Sequence, residues 1–249
     1  MDIRLDGEVA LVTGAANGIG RGVAVAMGLS GARVALIDRS REGLEEAAAE
    51  MSLHGISASI HQVDVAKPDE VATAVDDATN KHGDITVLVT AAAIDESVSV
   101  EEMTIAQWQT ILNVNLNGTF YCMKSVLPGM RRAGHGRIIM FGSNIGLKGG
   151  AAISHYGAAK AGVHGLARCA AIDLAPAGIT VNVVAPGPIE TEMLWSLPAE
   201  WLDAKRAELP LGRFGTVAEI VPTVILLASA AGSYYTGSVI NISGGDVLM

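Results

Sequence analysis

The sequence has few aromatic residues, only two cysteines and no cluster of basic residues large enough to suggest a polyanionic partner. Its 249 residues include 3 Phe, 3 Trp and 4 Tyr, and its formal net charge is −9 with neutral histidines. An acidic chain without a basic block argues against nucleic acid as the partner. Half of the residues are hydrophobic, which is enough apolar material for a large core and excludes a disordered chain.

The sequence also lacks an apolar run long enough to cross a membrane. The longest uncharged run, 220–245, is interrupted by the polar segment 232–237, and its apolar part already contains Pro222. A membrane-spanning helix needs about 20 apolar residues. The charged residues near the N-terminus do not resemble a signal peptide. We therefore expect a cytoplasmic protein with no membrane partner.

The two cysteines, Cys122 and Cys169, lie 47 residues apart. This spacing indicates neither a disulfide framework nor a metal-binding motif. We expect two reduced thiols in the core and no metal site.

Short apolar runs alternate with longer segments of helical periodicity along the whole chain. This alternation predicts the α/β class, with a single doubly wound Rossmann domain over 1–249 and a parallel sheet of about seven strands with helices on both faces. The predicted strands are 9–13, 33–37, 57–63, 86–90, 137–141, 180–184 and 238–242. The predicted helices lie near 19–30, 40–53, 68–82, 101–133, 154–175 and 216–229. Right-handed crossovers would bring all strand C-termini to one edge, where ligands bind.

The segment 186–215 breaks this alternation of strands and helices, and its part near 188–210 is predicted to be a flap beside the substrate. Its apolar residues could close over a substrate, or they could pack on the body of the domain or on a partner subunit. These residues are Met193, Leu194, Trp195 and Leu197.

A glycine-rich loop directly follows the first strand and opens a helix. Its candidate cofactor-binding residues are Gly14, Asn17, Gly18, Ile19 and Gly20. Glycines let the backbone turn tightly and approach a pyrophosphate, whose charge then meets the amides at the helix N-terminus. A purely structural turn is the alternative. The spacing Gly-x-x-x-Gly-x-Gly differs from that of the large two-domain dehydrogenases.

A carboxylate ends the second predicted strand. Asp38, 18 residues beyond Gly20, is placed to accept hydrogen bonds from a ribose 2′-hydroxyl, although it could instead cap the helix that begins near Ser40. An aspartate here would repel a 2′-phosphate, which predicts NAD rather than NADP. The neighbouring Arg39 could soften that preference.

Three polar residues have the types and spacing of a carbonyl-reducing site. Ser143 follows a predicted strand, and Tyr156 and Lys160 lie thirteen and seventeen residues later, one helical turn apart on the same face. A phenol titrates near 10, and a neighbouring ammonium is expected to lower that pKa, so that Tyr156 can exchange a proton with the substrate oxygen. The Ser143 hydroxyl can polarise that oxygen.

With these motifs the chain resembles the short-chain dehydrogenase/reductase family over essentially its whole length. The family's glycine motif stands at Gly14, Gly18 and Gly20, and its Ser and Tyr-x-x-x-Lys at Ser143, Tyr156 and Lys160. The resemblance adds Asn115 as a fourth catalytic residue, whose backbone would help hold a water between Lys160 and solvent. It also implies cofactor contacts for Tyr156, Lys160 and a further set: Asp64, Val65, Ala92, Pro186, Gly187, Ile189 and Thr191. For Asp64, a simple loop cap is the alternative.

One motif departs from the family pattern. Where the family has Asn-Asn-Ala-Gly after the fourth strand, this chain has Thr-Ala-Ala-Ala at 90–93. The loss of two asparagine side chains and the added methyl of Ala93 are expected to weaken cofactor binding without abolishing activity.

The resemblance implies an NAD(H)-dependent oxidoreductase that interconverts a secondary alcohol and a ketone, with similarity greatest to 3-oxoacyl-thioester reductases. The alternative is a polyol, sugar or hydroxysteroid dehydrogenase. Against a carrier-protein substrate, Ala177 stands where such reductases often carry a basic residue. An idle NAD-binding protein is a third reading, against which the intact catalytic residues argue. A basic cluster could attract an acidic carrier or be a solvated helix end: Lys124, Arg131, Arg132, His135 and Arg137.

Polar residues near the motifs are candidates for the pocket rim: Asp95, Glu96, Asn144 and Lys148. His155 is expected to be an exposed helical residue, with substrate contact as the alternative. Helices 101–133 and 154–175 carry many small residues, which allow another helix to approach closely. In the family such helices usually pair between subunits. We therefore expect a homotetramer or a homodimer.

Overall fold

The computed structural model describes residues 3–248, which form one seven-stranded sheet with strands in the order β3-β2-β1-β4-β5-β6-β7. Every neighbouring pair is parallel. The strands are β1 Val9–Thr13, β2 Arg33–Asp38, β3 Ala58–Gln62, β4 Val87–Thr90, β5 Gly136–Phe141, β6 Ile179–Pro186 and β7 Val239–Ile242. The central strands are short continuous apolar runs because both of their faces are covered.

Helices cover both faces of the sheet. They are α1 Gly18–Leu29, α2 Arg41–Leu53, α3 Pro68–His82, α4 Ile105–Leu112, α5 Gly118–Ala133, α6 Ile145–Lys148, α7 Ser154–Leu174, α8 Glu192–Trp195, α9 Ala199–Glu208 and α10 Val217–Ala228. Within residues 3–248, none of these helices is long and apolar enough to span a bilayer.

The core is divided by the sheet into two apolar layers. One layer joins the sheet to α3, α5 and α7, with fully buried residues such as Val126 and Val163. The other joins it to α1, α2 and α10, with Met27, Leu44 and Val224. Aliphatic side chains make up nearly all of both layers, as the shortage of aromatic residues requires.

The strand order reverses direction between β1 and β4, since β2 lies on one side of β1 and β4 on the other. In an open parallel sheet, ligands bind in the crevice outside the strand C-termini at such a switch point. The loops after β1, β4 and β5 therefore define where the site must be.

All seven predicted strands are confirmed, with ends that shift by at most two residues. The predicted helix 101–133 is wrong in two respects. It begins only at Ile105, where Thr104 and Gln107 form a capping box, and a π-helical turn, Asn113–Asn117, separates α4 from α5. Asparagine side chains compete for backbone hydrogen bonds and loosen helical geometry, and π turns are frequent at functional sites.

The segment 188–210 contains α8 and α9 and has its own small core. Leu194 and Leu202 are buried there with Phe214, and the Trp195 ring meets Phe214 edge-on at 5.9 Å. Met193 and the remainder of Trp195 stay exposed. Part of the flap thus packs on the body of the domain, while its exposed part is free to face a ligand.

The expectation of two core thiols is half wrong. Cys122 is buried on α5, and Cys169 is exposed on α7. Residue 169 falls between the buried positions Ala167 and Ala170 and faces outward from α7. Because α7 is rich in small residues, its sequence shows no clear hydrophobic periodicity that would identify this outward face.

Candidate active site

The glycine loop leaves the N-terminus of α1 open. Asn17 is the N-cap residue of α1 but makes no side-chain cap, and the first turn has no acidic residue. Its free amides can therefore receive an anion. Gly20 is required sterically, because a Cβ there would lie 2.0 Å from the carbonyl oxygen of Gly14. This cradle fits the pyrophosphate of a dinucleotide.

Asp38 ends β2 beside this loop. Its Oδ2 accepts a hydrogen bond from the Ala16 amide at 3.2 Å, and its Oδ1 accepts one from the Ser40 amide at 3.0 Å. The N-cap of α2 is Ser40, whose hydroxyl accepts from the Gly43 amide at 3.2 Å. Asp38 is therefore held at the edge of the glycine loop, and the helix has its own cap.

Asp64 and Val65 follow β3. The Asp64 carboxylate accepts from the Ala66 amide at 3.0 Å, which is a local turn contact of the kind expected from a loop cap. Val65 is buried against α5, where a Cβ on Gly118 would lie 2.9 Å from its side chain. Both residues thus line the loop edge next to the switch point.

Residues 186–192 fold back over the glycine loop. Pro186 ends β6, and the Gly187 amide donates to the Ile242 carbonyl at 2.9 Å. Ile189 is buried. Thr191 lies close to Gly18, since a Cβ added to Gly18 would be 3.3 Å from the Thr191 side chain. The side-chain amide of Asn17 also donates to Glu192 at 3.2 Å. Two segments predicted to bind one cofactor are therefore neighbours in space.

Ser143, Tyr156 and Lys160 come together at the C-terminal end of β5. Ser143 lies two residues beyond the strand, and Tyr156 and Lys160 occupy the first two turns of α7. The hydroxyl of Tyr156 is in hydrogen-bond contact with Ser143. The Lys160 ammonium lies 5.6 Å from the centre of the Tyr156 ring and donates to the Phe141 carbonyl at 2.8 Å.

Burial dominates the electrostatics of this group. Burial raises the pKa of Tyr156 to about 12, and the hydrogen bond with Ser143 only partly opposes it. Burial also lowers the pKa of Lys160 to about 8. The expected lowering of the Tyr156 pKa by Lys160 is therefore wrong: burial raises that pKa, and the charge of Asp95 raises it further.

Asn115 lies in the π-helical turn and is buried. Its side-chain amide donates to the Ile94 carbonyl at 2.8 Å, and its side-chain oxygen accepts from the Ile94 amide at 2.9 Å. Its own backbone carbonyl accepts from the Thr119 hydroxyl at 3.1 Å. The Asn115 side chain therefore positions the segment after β4.

The unusual 90–93 segment lies directly beside the glycine loop. The Ala92 amide donates to the Thr13 hydroxyl at 3.2 Å, and a Cβ on Gly14 would lie 2.7 Å from the Ala92 nitrogen. Within residues 3–248, the buried Thr90 hydroxyl has no hydrogen-bond partner. This orphaned group stands where the family pattern has an asparagine.

His155 is fully buried, so the expectation of an exposed histidine is wrong. Its Nδ1 accepts a hydrogen bond from the Tyr156 amide at 2.9 Å. Its place on the inner face of α7 follows from the helical spacing of His155, Ala159, Val163 and Ala167, all of which are buried. That spacing was a readable signal.

Two of the four predicted rim residues join a polar cluster that the motifs did not indicate. Asn144 is buried and Lys148 is exposed, and both donate hydrogen bonds to Asp246 near the C-terminus. By contrast, Asp95 and Glu96 are exposed, and Glu96 accepts from the Gln107 side chain at 2.6 Å. Asp246 carries no motif, so its part in the site was missed.

A seven-stranded parallel sheet, an open glycine cradle at its switch point and a Ser-Tyr-Lys group beside it define a nicotinamide-dependent oxidoreductase. A family model described as "Enoyl-(Acyl carrier protein) reductase" matches residues 14–246. The chain belongs to the short-chain dehydrogenase/reductase family.

Its relatives match over nearly their whole length. The chain is 37% identical to a 3-oxoacyl-[acyl-carrier-protein] reductase FabG from Pseudomonas aeruginosa, over 97% of this chain and 98% of the relative. It is also 37% identical to a 3-oxoacyl-[acyl-carrier-protein] reductase FabG from Thermotoga maritima, over 99% of this chain and 100% of the relative. A crystal structure of a short-chain type dehydrogenase/reductase from Mycobacterium marinum superposes with a TM-score of 0.95 at 35% identity, covering 99% of this chain and 98% of that one.

Proposed function

We propose that this enzyme reduces the ketone of a 3-oxoacyl thioester to the secondary alcohol with NADH. The observation that carries the proposal is the contact of Ser143 with Tyr156 above the buried Lys160, in a chain whose relatives are named 3-oxoacyl-[acyl-carrier-protein] reductases. The nicotinamide, when bound, supplies the hydride that reaches the carbonyl carbon. The protein must then orient the ketone and deliver one proton to its oxygen.

Tyr156 is the proton donor in this scheme. Its pKa, raised by burial to about 12, keeps the phenol protonated, which suits a group that donates to a developing alkoxide. Ser143 donates a hydrogen bond to the same oxygen and polarises the carbonyl. After transfer, the Lys160 ammonium stabilises the phenolate from beneath the ring. The Asn115 backbone would help hold a water that links Lys160 to solvent, from which a proton returns to Tyr156.

For cofactor choice we propose NAD over NADP. The anionic Asp38 side chain, held by the Ala16 and Ser40 amides, can accept hydrogen bonds from two ribose hydroxyls but would repel a 2′-phosphate. The pyrophosphate would bind to the amides from Gly14 to Gly20. The nicotinamide end would contact residues 186–191, and the adenine end would contact Asp64 and Val65.

A secondary-alcohol or polyol dehydrogenase is the second candidate, favoured by a specific observation. Arg132, in the basic cluster that could attract an acidic carrier protein, is paired with Asp84 at 2.5 Å, and position 177 is alanine. Both features reduce the positive charge available to such a carrier. A small alcohol or polyol makes no use of that surface.

We further propose a homotetramer in the cytoplasm. Phe120 on α5 and Ile172 on α7 are exposed by 41% and 77%, and such side chains on neighbouring helices are suited to burial against another copy. The molar mass in solution, measured by light scattering at several concentrations, tests this directly. A monomer at micromolar concentration would contradict it.

The activity is tested by following NADH absorbance with acetoacetyl-CoA, a panel of ketones, and NAD with polyols and secondary alcohols. Tyr156→Phe is the matched control, since it removes one hydroxyl, and we expect a loss of about 10²–10⁴-fold in kcat with NADH binding retained. Thioester turnover that disappears in this variant supports the proposal. Turnover of alcohols alone favours the second candidate, and undiminished turnover in the variant contradicts the role of Tyr156.

A further inference from the structure

A buried carboxylate, Asp246, is connected to Ser143 through one intervening side chain. Its side chain is 6% exposed. It accepts hydrogen bonds from the side-chain amide of Asn144 and from the ammonium groups of Lys148 and Lys205, the last two at 2.6 Å each. The carboxylate thus joins the loop after β5, helix α9 of the flap and the C-terminal segment at one point.

The amide of Asn144 has one orientation that suits both of its neighbours. Its Nδ2 donates to Asp246, and its Oδ1 accepts from the Ser143 hydroxyl at 3.2 Å. A flipped amide would set its oxygen against the carboxylate and turn a donor toward Ser143. Because Asn144 is only 4% exposed, water cannot easily replace either partner. The charge of Asp246 therefore decides which atom of Asn144 faces Ser143.

Asp246 is held in its ionised form. Burial alone would raise its pKa, but the hydrogen bonds from Lys148 and Lys205 outweigh burial and lower it. Burial alone would likewise lower the pKa of Lys205, which is 11% exposed, and its hydrogen bonds, first among them that with Asp246, raise it. The orientation of Asn144 is therefore maintained throughout the neutral pH range.

The hydroxyl of Ser143 is held at two points. The Ile145 amide donates to its oxygen at 3.1 Å, and the Asn144 side-chain oxygen receives its proton. These two contacts fix the Ser143 oxygen before the substrate arrives, so that only its single proton has to turn from Asn144 to the substrate oxygen. Because the Ile145 amide donates to the Ser143 side chain, its hydrogen exchange reports whether the Ser143 hydroxyl stays in place.

We propose that Asp246 is a positioning residue for Ser143, acting through the Asn144 amide, and that Lys205 ties the flap to the same carboxylate. This rests on the proposed function, in which Ser143 polarises the substrate carbonyl. It identifies a site residue outside the catalytic motifs and makes helix α9 part of the support of the active site.

The first test compares Asp246→Asn with the parent enzyme, using NADH and acetoacetyl-CoA. We expect kcat to fall about tenfold while the KM for the thioester and the Kd for NADH change by less than about twofold. The matched control is Glu208→Gln, since Glu208 also bonds Lys205, at 3.1 Å, but is 67% exposed. Its kcat should be unchanged.

The second test is a double-mutant cycle with Asn144→Ala. If Asp246 acts through Asn144, then Asp246→Asn added to Asn144→Ala should lower kcat by less than about twofold further. An equal drop in both backgrounds would overturn the proposal, because it would mean that Asp246 only supports the packing of the C-terminal segment.

The third test does not depend on activity. Hydrogen exchange of the Ile145 amide should accelerate about tenfold in Asp246→Asn and stay unchanged in Glu208→Gln. Unchanged exchange, or a kcat of Asp246→Asn within about twofold of the parent, overturns the inference. A parent enzyme that reduces no ketone contradicts the proposed function instead, and the Ile145 exchange then still decides the role of Asp246.

Discussion

The Lys160 ammonium donates a hydrogen bond of 2.8 Å to the carbonyl oxygen of Phe141, the last residue of β5. The end of this strand therefore holds the lysine beneath the Tyr156 ring. A side chain that is 3% exposed and bonded to a neutral carbonyl keeps its charge at a cost in free energy. This cost makes the ionisation of Lys160 measurable from the stability of the protein.

We predict that Lys160→Met changes the pH dependence of unfolding. The pKa of Lys160 is lowered by burial to about 8, against about 10.4 in an unfolded chain. Between these values the unfolded state binds more protons, so stability rises with pH in this window, by about 2 kcal/mol from pH 7.5 to 9.5. Urea unfolding at both pH values should show this rise in the parent and lose it in the variant. Lys124→Met, at an exposed position of α5, should retain it.

Asp38→Ser should change the cofactor preference. Removal of the carboxylate eliminates the acceptor for the ribose hydroxyls and the repulsion of a 2′-phosphate, so we expect NADH to bind about tenfold more weakly and NADPH more tightly. Fluorescence titration with both cofactors measures the ratio. Asp69→Ser removes an exposed carboxylate from the first turn of α3 and should leave the ratio as it is. A ratio that Asp38→Ser does not move would contradict the role of Asp38.

Restoring the family pattern with Ala91→Asn and Ala93→Gly should tighten NADH binding several-fold. The added amide can hydrogen-bond near the orphaned Thr90 hydroxyl, and the lost methyl frees space beside the cofactor. Thr90→Val is the companion variant, which should stabilise the fold by about 1 kcal/mol because it removes a buried unpaired hydroxyl. An unchanged Kd for NADH in the double variant would contradict the expected gain in cofactor binding. A lower melting temperature of Thr90→Val would contradict the expected gain in stability.

Two glycines of similar backbone geometry should respond very differently to alanine. Gly14 has φ +69° with Ala91 and Ala92 backbone atoms 2.7–2.8 Å from a Cβ, whereas Gly55 has φ +72° with nothing within 4 Å. We expect Gly55→Ala to cost about 1–2 kcal/mol from backbone strain alone. Gly14→Ala should cost about 1–3 kcal/mol more from overpacking and should also weaken NADH binding. Equal melting temperatures of Gly14→Ala and Gly55→Ala would contradict this prediction, because they would show that the backbone around Gly14 moves to accommodate the added methyl group.

The sheet and the catalytic residues could be predicted from the sequence because their signals are local. The apolar runs marked every strand, and Tyr156 and Lys160 are one turn apart on one helix. The burial of His155 was predictable from its helical spacing with Ala159 and Val163. The exposure of Cys169 was not, because α7 is rich in small residues, which reduce the contrast between its inner and outer faces.

The Asp246 cluster could not have been predicted from spacing. Its carboxylate meets Lys148 and Lys205 at sequence separations of 98 and 41 residues, and only the folded chain brings them together. The π turn at Asn113–Asn117 could not have been predicted either, since asparagine-rich segments are also compatible with ordinary loops.

In this parallel sheet the residues of the site lie at the C-terminal ends of the strands, and the opposite ends carry none of them. Gly14, Asp38, Ala92, Ser143 and Pro186 all lie at or just beyond a strand's last residue, whereas the turn containing Gly55 leads into a strand from the opposite side. A fluorophore, a surface linker or an inserted peptide attached at the Gly55 turn would therefore lie at the opposite ends of the strands from the chemistry. The enzyme can be immobilised or labelled there while its cofactor cleft stays open to solution.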